Sequence, residues 1–209
     1  MPDFLAAALL YLRHGWLAHP LGLDPQGYPK RPLTTGWTSL NRTEEVVRSL
    51  PWGKAQGLGL ILGSVSSNLA VLDVDDVTLA EACFELCTDT RCVRTIRQRG
   101  HIYVVEEQPS DSHVVTVGYQ GRQVKIELKA QGTQVAAPPT PGYATVVNRP
   151  PIRATSLATV WRGVASSLGA SDGLLDGYPK PWRDQVPMEE RNKSAYIEAH
   201  MLREAHMAL

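Results

Sequence analysis

The 209-residue sequence has little of three features that would assign it to a special class of protein. It has only three cysteines, an odd number that argues against a disulfide framework and is typical of a reducing cytoplasm. Its 21 basic and 21 acidic side chains balance, so no overall positive field marks it as a nucleic-acid binder. No apolar run is long enough to cross a bilayer, and the short apolar run near the N-terminus lacks the basic flank of a signal peptide. We therefore expect a cytoplasmic protein whose charged patches are local.

The most informative stretch is residues 69–75, an apolar run over 69–72 that leads into Asp73-Val74-Asp75. A β-strand points successive side chains to opposite faces, so Asp73 and Asp75 share one face and Val74 takes the other. Two neighbouring carboxylates repel each other unless a cation lies between them. The pattern is typical of a divalent-metal platform, but it also fits a strand that simply ends in a turn. The spacing alone leaves both readings open.

The order of β-prone and helical segments predicts a mixed α/β (α+β) core over residues 1–149. The strands at 57–62 and 69–75 are expected to form a hairpin, or to lie side by side in one sheet. The predicted elements are a helix at 3–14, a strand at 16–21, a loop at 22–41, a helix from a capping box at 41–44, strands at 57–62 and 69–75, a helix from a capping box at 78–81, β-prone runs at 93–96 and 101–105, a hairpin of 114–117 with 123–128, and strands at 132–137 and 143–147.

The segment Asn148-Arg149-Pro150-Pro151 is the clearest boundary in the chain. After it the apolar spacing becomes helical, first over residues 155–168 and then over 188–209. We therefore predict a helical accessory segment at 152–209 that follows the α/β core.

Two more polar residues stand on predicted strands, where an aliphatic side chain would be easier to bury. Taken singly, His101 is a strand-end histidine and Glu127 belongs to a solvated face. Together with the acidic pair they suggest a two-metal site that orients an attacking hydroxyl and a triphosphate. Lys129 and Arg99 are then candidates to hold the phosphate oxygens.

Two other features have ordinary explanations. For the 22–41 loop, which contains Lys30, a surface segment pinned by Trp37 is favoured over a basic loop that reaches toward a phosphate. The three cysteines, with His101, match no common zinc-binding spacing. Buried free cysteines are common in proteins, so we expect these to be structural.

Several short motifs follow one another in an order that is more specific than any one of them. Their sequence resembles the archaeo-eukaryotic primase superfamily, and most of all the N-terminal domain of bifunctional DNA primase/polymerase (prim-pol) proteins of plasmids, phages and other mobile elements. The resemblance covers residues 5–147. The motifs that carry it are Lys30-x-Pro32 with Trp37, the glycine-led strand 57–63 before Asp73 and Asp75, Thr95 six residues before His101-Ile102-Tyr103, Glu127, and Pro138-Pro139-Thr140 with Tyr143.

The resemblance implies a fold, an activity and a set of site residues. The implied fold is a two-layer core with a unit like an RNA-recognition motif. The implied activity is template-directed nucleotide joining, with Mg²⁺ or Mn²⁺ bound by Asp73, Asp75 and Glu127. His101 would contact the triphosphate, and Lys129 and Arg99 would add phosphate contacts.

The implied partners are a single-stranded or primed DNA template, nucleoside triphosphates and a helicase domain or subunit. Arg97, Arg99, Arg122 and Lys125 are candidates to contact the template. Such a domain occurs in larger replication proteins or alone.

One departure and two alternatives qualify the resemblance. The family usually has paired glycines where Gln98 and Arg99 stand here, so only Gly100 remains. The two extra side chains either narrow the approach to the triphosphate or, through Arg99, add a phosphate contact. A non-catalytic nucleic-acid-binding module of the same fold is one alternative. A metal-dependent nuclease or phosphohydrolase that uses the same carboxylates on water is the other.

Overall fold

The computed structural model describes residues 2–170, which form eleven strands and four α-helices. No helix in this range is both long enough and apolar enough to cross a bilayer. The helices are α1 (Phe4–Arg13), α2 (Glu44–Ser49), α3 (Val77–Leu86) and α4 (Leu157–Leu168). The strands are β1 (Ala18–Leu23), β2 (Pro29–Pro32), β3 (Gly57–Ile61), β4 (Leu69–Val74), β5 (Cys92–Arg94), β6 (Gly100–Glu106), β7 (His113–Tyr119), β8 (Arg122–Lys129), β9 (Gln134–Ala137), β10 (Ala144–Val147) and β11 (Ile152–Ala154).

The strands are divided between two sheets. The four-stranded sheet has the order β2–β1–β3–β9, and its neighbours are antiparallel. The seven-stranded sheet has the order β10–β5–β6–β4–β8–β7, and β11 pairs in parallel with β6. Two sheets with few helices confirm the predicted mixed α+β class.

The central strand β4 faces two different hydrophobic cores. Ala70, Leu72 and Val74 belong to a core that includes residues of α3 and α4. Leu69 and Val71 point the other way, into a core that includes residues of α1 and the four-stranded sheet. Residue 73 therefore continues the face directed at the four-stranded sheet.

The first three helices begin at side-chain caps, two of which differ from the predicted capping boxes. Asp3 caps α1 by accepting a hydrogen bond from the Ala6 amide. Thr43 caps α2 and Asp76 caps α3, whereas the predicted boxes began at Asn41 and Thr78. The cap of α2 therefore lies two residues after the start of its predicted box, and the cap of α3 lies two residues before the start of its box. In both helices the cap is the residue whose backbone is extended.

Two predictions about the strands are wrong. The strands β3 and β4 form no hairpin, because each lies in a different sheet and a single bridge joins Gly63 to Leu69. Gly63 has φ +92°, and Ser67 and Asn68 are also left-handed, so the connection turns out of the first sheet. The predicted loop at 22–41 contains β2, which pairs with β1.

The predicted division of the chain at 149–152 stays a prediction, and in the described residues the segment after it contacts the core. Strand β11 adds to the seven-stranded sheet beside β6. Helix α4, predicted correctly as a helix, places Leu157, Trp161 and Ala165 in the same core as β4. The predicted helix at 188–209, and with it most of the accessory segment, lies outside the described residues.

Candidate functional site

Three polar residues lie side by side on the three central strands of the larger sheet. Asp73 on β4 is opposite Glu127 on β8 and opposite His101 on β6. The alternate residues of β8, Val124, Ile126 and Leu128, are buried in the core with α3 and α4. Glu127 therefore projects from the same face of the sheet as Asp73, the face that is not covered by those helices.

This face opens onto a cavity of about 400 Å³ that residues of both sheets line. A volume of this size is within the usual range of small-molecule sites. Asp75, which follows β4 directly, also lines the cavity. The other charged or titratable lining residues are Lys30, Asp73, Arg97, Arg99, His101, Lys129 and Tyr143.

Each carboxylate of the site is paired with a cationic side chain. Asp75 is 2.6 Å from the Arg99 guanidinium. Glu127 bonds to Lys125 and lies 2.6 Å from the Lys129 ammonium. Asp73 is more loosely paired, with its oxygens 3.5 Å from His101 Nε2 and 3.7 Å from Lys129 Nζ. The site is thus an alternating array of opposite charges.

Burial and the neighbouring charges shift the pKa values of Glu127 and His101. Burial opposes the ionisation of Glu127, but hydrogen bonds from Lys125 and Lys129 outweigh it and lower the pKa of this carboxyl to about 2. Burial lowers the pKa of His101, and the charge of Asp73 offsets part of that shift. His101 is therefore a neutral imidazole at physiological pH.

The donor set fits a hard divalent cation. Asp73, Asp75 and Glu127 supply carboxylate oxygens, the ligands that Mg²⁺ and Mn²⁺ prefer. Among residues 2–170 no group of His, Cys, Asp and Glu side chains is already gathered as a metal cage. The lysine and arginine partners take up carboxylate oxygens that a cation would need, so metal binding requires these ion pairs to rearrange.

The turn between β5 and β6 carries the departure from the family pattern. Gln98 has φ +61°, the left-handed conformation that glycine adopts without strain. The Thr95 hydroxyl accepts from the Arg99 amide and holds the turn closed. A side chain at Gly100 would meet Ala80 at 3.0 Å and Phe84 at 3.2 Å, so α3 leaves no room for one.

The structure brings most of the predicted site residues to one place. Asp73, Asp75, His101, Arg99 and Lys129 line the cavity, whereas Glu127 does not line it but contacts Lys129, which does. Of the predicted template contacts, Arg97 also lines the cavity. Arg122 and Lys125 do not line it: they pair with Asp76 and Glu127 respectively.

Sequence reasoning missed part of the site. Lys30 and Trp37 line the cavity, although local chemistry had favoured a plain surface loop for their segment. Gln134 and Tyr143 line it as well, and neither had been given a role. The signal for Lys30 and Trp37 was present in the Lys-x-Pro and tryptophan motif of the resemblance, not in their composition.

The cysteines have the structural role expected of them. Cys83, Cys87 and Cys92 are free and buried. Burial raises the pKa of each thiol, that of Cys87 to about 12. None of them lines the cavity, and buried thiols with raised pKa values are inert as nucleophiles and metal ligands.

A second buried histidine supports the other side of the cavity. His19 on β1 is fully buried, and its Nε2 bonds to Gln134 Oε1. Its ring lies parallel to that of Trp37, with a centroid distance of 5.2 Å and an interplanar angle of 7°. Burial lowers the pKa of His19 to about 4, so the stacked ring is neutral.

We predict that His19→Phe removes part of the acid sensitivity of the fold. Between pH 6.5 and 4 residue 19 binds a proton in the unfolded chain but stays largely neutral in the folded chain. The free energy of unfolding therefore falls as pH falls. The stability advantage of the wild type over the variant should shrink by about 3 kcal/mol across this window. Urea unfolding at pH 7 and pH 4 measures it, and parallel pH dependences for the two proteins would contradict the assignment.

Residues 8–157 match the family described as bifunctional DNA primase/polymerase, N-terminal. The match covers β1 to β11 and therefore every residue of the site described above. No curated protein matches the chain.

Proposed function

Over residues 8–157 the chain belongs to the family of bifunctional DNA primase/polymerase N-terminal domains, and from this membership we propose that it joins nucleotides on a DNA template with release of pyrophosphate. The family implies a nucleotidyltransferase that acts on DNA and nucleotides, and its enzymes are generally dependent on divalent metal. The observation that best supports the proposal is the register of Asp73, Glu127 and His101 on three adjacent strands, with Asp73 and His101 lining the cavity.

The acidic residues are assigned to the metal ions of the reaction. Asp73, Asp75 and Glu127 would hold two Mg²⁺ or Mn²⁺ ions, which when bound supply charge neutralisation and activation of the attacking 3′-hydroxyl. The strands fix these side chains, since Asp73 and Glu127 are cross-strand neighbours and the Asp75 amide donates to the Lys125 carbonyl of β8 at 3.2 Å. The backbone thereby sets the spacing of the carboxylates before any ligand enters.

The cations and the histidine are assigned to the nucleotide. Arg99 and Lys129 line the cavity while paired with carboxylates, so phosphate oxygens entering it offer them an alternative anionic partner. His101, neutral in the free protein, can donate one hydrogen bond to a phosphate oxygen. The association with plasmid or phage replication, and with a helicase, stays a prediction of the resemblance.

We expect the full chain to extend a primed DNA template with nucleoside triphosphates and Mg²⁺ or Mn²⁺, and EDTA to stop the reaction. Gel analysis of an end-labelled primer separates this outcome from the two alternatives. Shortening of the primer would indicate a nuclease. Retention of the DNA without any change in length, under both metals and on both primed and unprimed templates, would indicate a binding module.

A further inference from the structure

We propose that Trp37 is the surface on which the base of the incoming nucleotide stacks, and that His19 is the positioning residue that holds the indole ring for it. The proposal rests on the proposed function, because it names where the base of that reaction's nucleotide lies. Neither residue is among the metal-binding or phosphate-binding groups assigned above.

Trp37 is placed to contact a ligand. It lies in the short 3-10 helix Trp37–Ser39, is only partly buried and lines the cavity. One face of its ring is covered by the parallel ring of His19. An aromatic ring that is supported on one face and borders a cavity is the kind of surface on which nucleic-acid bases stack.

The support beneath Trp37 is itself fixed. His19 is fully buried and bonds to Gln134, whose Nε2 donates to the Lys30 carbonyl at 3.0 Å. Gly59 lies directly against this pair: a Cβ there would be 2.6 Å from Gln134 Oε1 and 2.8 Å from His19 Nε2. The absence of a side chain at position 59 is what lets the histidine and glutamine occupy this layer.

The cavity has one charged wall and one largely uncharged wall, just as a nucleoside triphosphate has a charged end and an uncharged end. The seven-stranded sheet and the β5–β6 turn supply its charged wall, which the neutral His101 completes: Asp73, Asp75, Arg97, Arg99 and Lys129. Apart from Lys30, the wall from the four-stranded sheet and its adjoining segments is uncharged: Leu21, Trp37, Gly132, Thr133, Gln134, Val135 and Ala136. Phosphates suit the first wall and a flat, apolar base suits the second, so the nucleotide has one favourable orientation.

The test compares Trp37→Ala and Trp37→Phe with Trp52→Phe in the full chain. Trp52 is also partly buried, but its indole donates to the Val47 carbonyl and it does not line the cavity. Primer extension gives kcat and KM for dATP, and calorimetry gives the affinities for dATP and for inorganic tripolyphosphate, which has no base.

We expect Trp37→Ala to raise the KM and the Kd for dATP by about 10-fold or more, with tripolyphosphate affinity unchanged. Trp37→Phe should keep most of the affinity because it retains a ring, and Trp52→Phe should resemble the wild type. His19→Ala should raise KM with little change in kcat, and His19→Phe should restore it, which a general loss of folding would not do.

Three results would overturn the proposal. These are an unchanged dATP affinity in Trp37→Ala, an equal loss of tripolyphosphate affinity, and a loss confined to template affinity, which would place a template base on Trp37. If the wild type binds dATP through Trp37 but makes no product, the proposed function fails and the stacking site stands. If it does not bind dATP at all, both fail.

Discussion

Asp73→Asn is expected to slow nucleotide addition by about 1000-fold or more, because it removes the charge at the centre of the site. Asp73 is the only carboxylate that is opposite both Glu127 and His101 in the described strands. An amide of the same shape is a weak ligand for Mg²⁺, and losing one ligand of a metal pair forfeits several kcal/mol of transition-state stabilisation. Single-turnover primer extension with Mg²⁺ and with Mn²⁺ measures the loss.

The fold should tolerate this change. The ionic partners of Asp73 are distant, at 3.5 Å for His101 and 3.7 Å for Lys129, and Lys129 keeps its closer contact with Glu127. Such loosely paired, partly exposed charges contribute little to stability. Thermal unfolding of the variant should therefore be within a few degrees of the wild type, at about 1 kcal/mol or less.

Asp76→Asn is the matched control, since it makes the same chemical change one residue beyond Asp75. Asp76 caps α3 by accepting from the Leu79 amide at 2.9 Å, and asparagine caps helices as well as aspartate does. It does not line the cavity. Activity close to wild type is expected. An Asp73→Asn enzyme within 10-fold of wild type under either metal, or an equal loss in Asp76→Asn, would contradict the assignment.

The residues of the site were predictable where strand periodicity determined them. Alternation along 69–75 and 123–129 placed Asp73 with Asp75, and Glu127 with the lysines, on one face each. Which strand lies beside which was not predictable in the same way. The register that puts Asp73 opposite Glu127 depends on long-range pairing, and local sequence carries no information on the partner of a strand.

The errors in the fold have the same origin. The strands β3 and β4 are consecutive and both apolar, as the arms of a hairpin are, yet they enter different sheets. Three residues with positive φ, Gly63, Ser67 and Asn68, reorient the chain between them. Glycine is the strongest signal of a positive φ in a sequence and serine is not one, so a turn that places Ser67 and Asn68 in this conformation was read as an ordinary connection.

The second large effect concerns α4. Trp161→Ala is expected to lower the free energy of unfolding by about 4 kcal/mol, because it opens a cavity the size of an indole ring in the main core. Trp161 is fully buried there and belongs to the same cluster as Leu72, Ile102 and Ile126. For a domain of this size the change corresponds to a fall of about 10 °C in Tm, measured by calorimetry.

Two further variants distinguish packing from other causes. The indole N–H of Trp161 has no hydrogen-bond partner within residues 2–170, so Trp161→Phe loses volume but no bond and should cost about 1 to 2 kcal/mol. Ser166→Ala, on the exposed side of α4, should change stability by about 0.5 kcal/mol or less. If Trp161→Ala cost no more than Ser166→Ala, α4 would be an accessory that the core does not need, as the sequence first predicted. A loss of the expected size instead makes α4 part of the layer that covers the sheet behind Asp73.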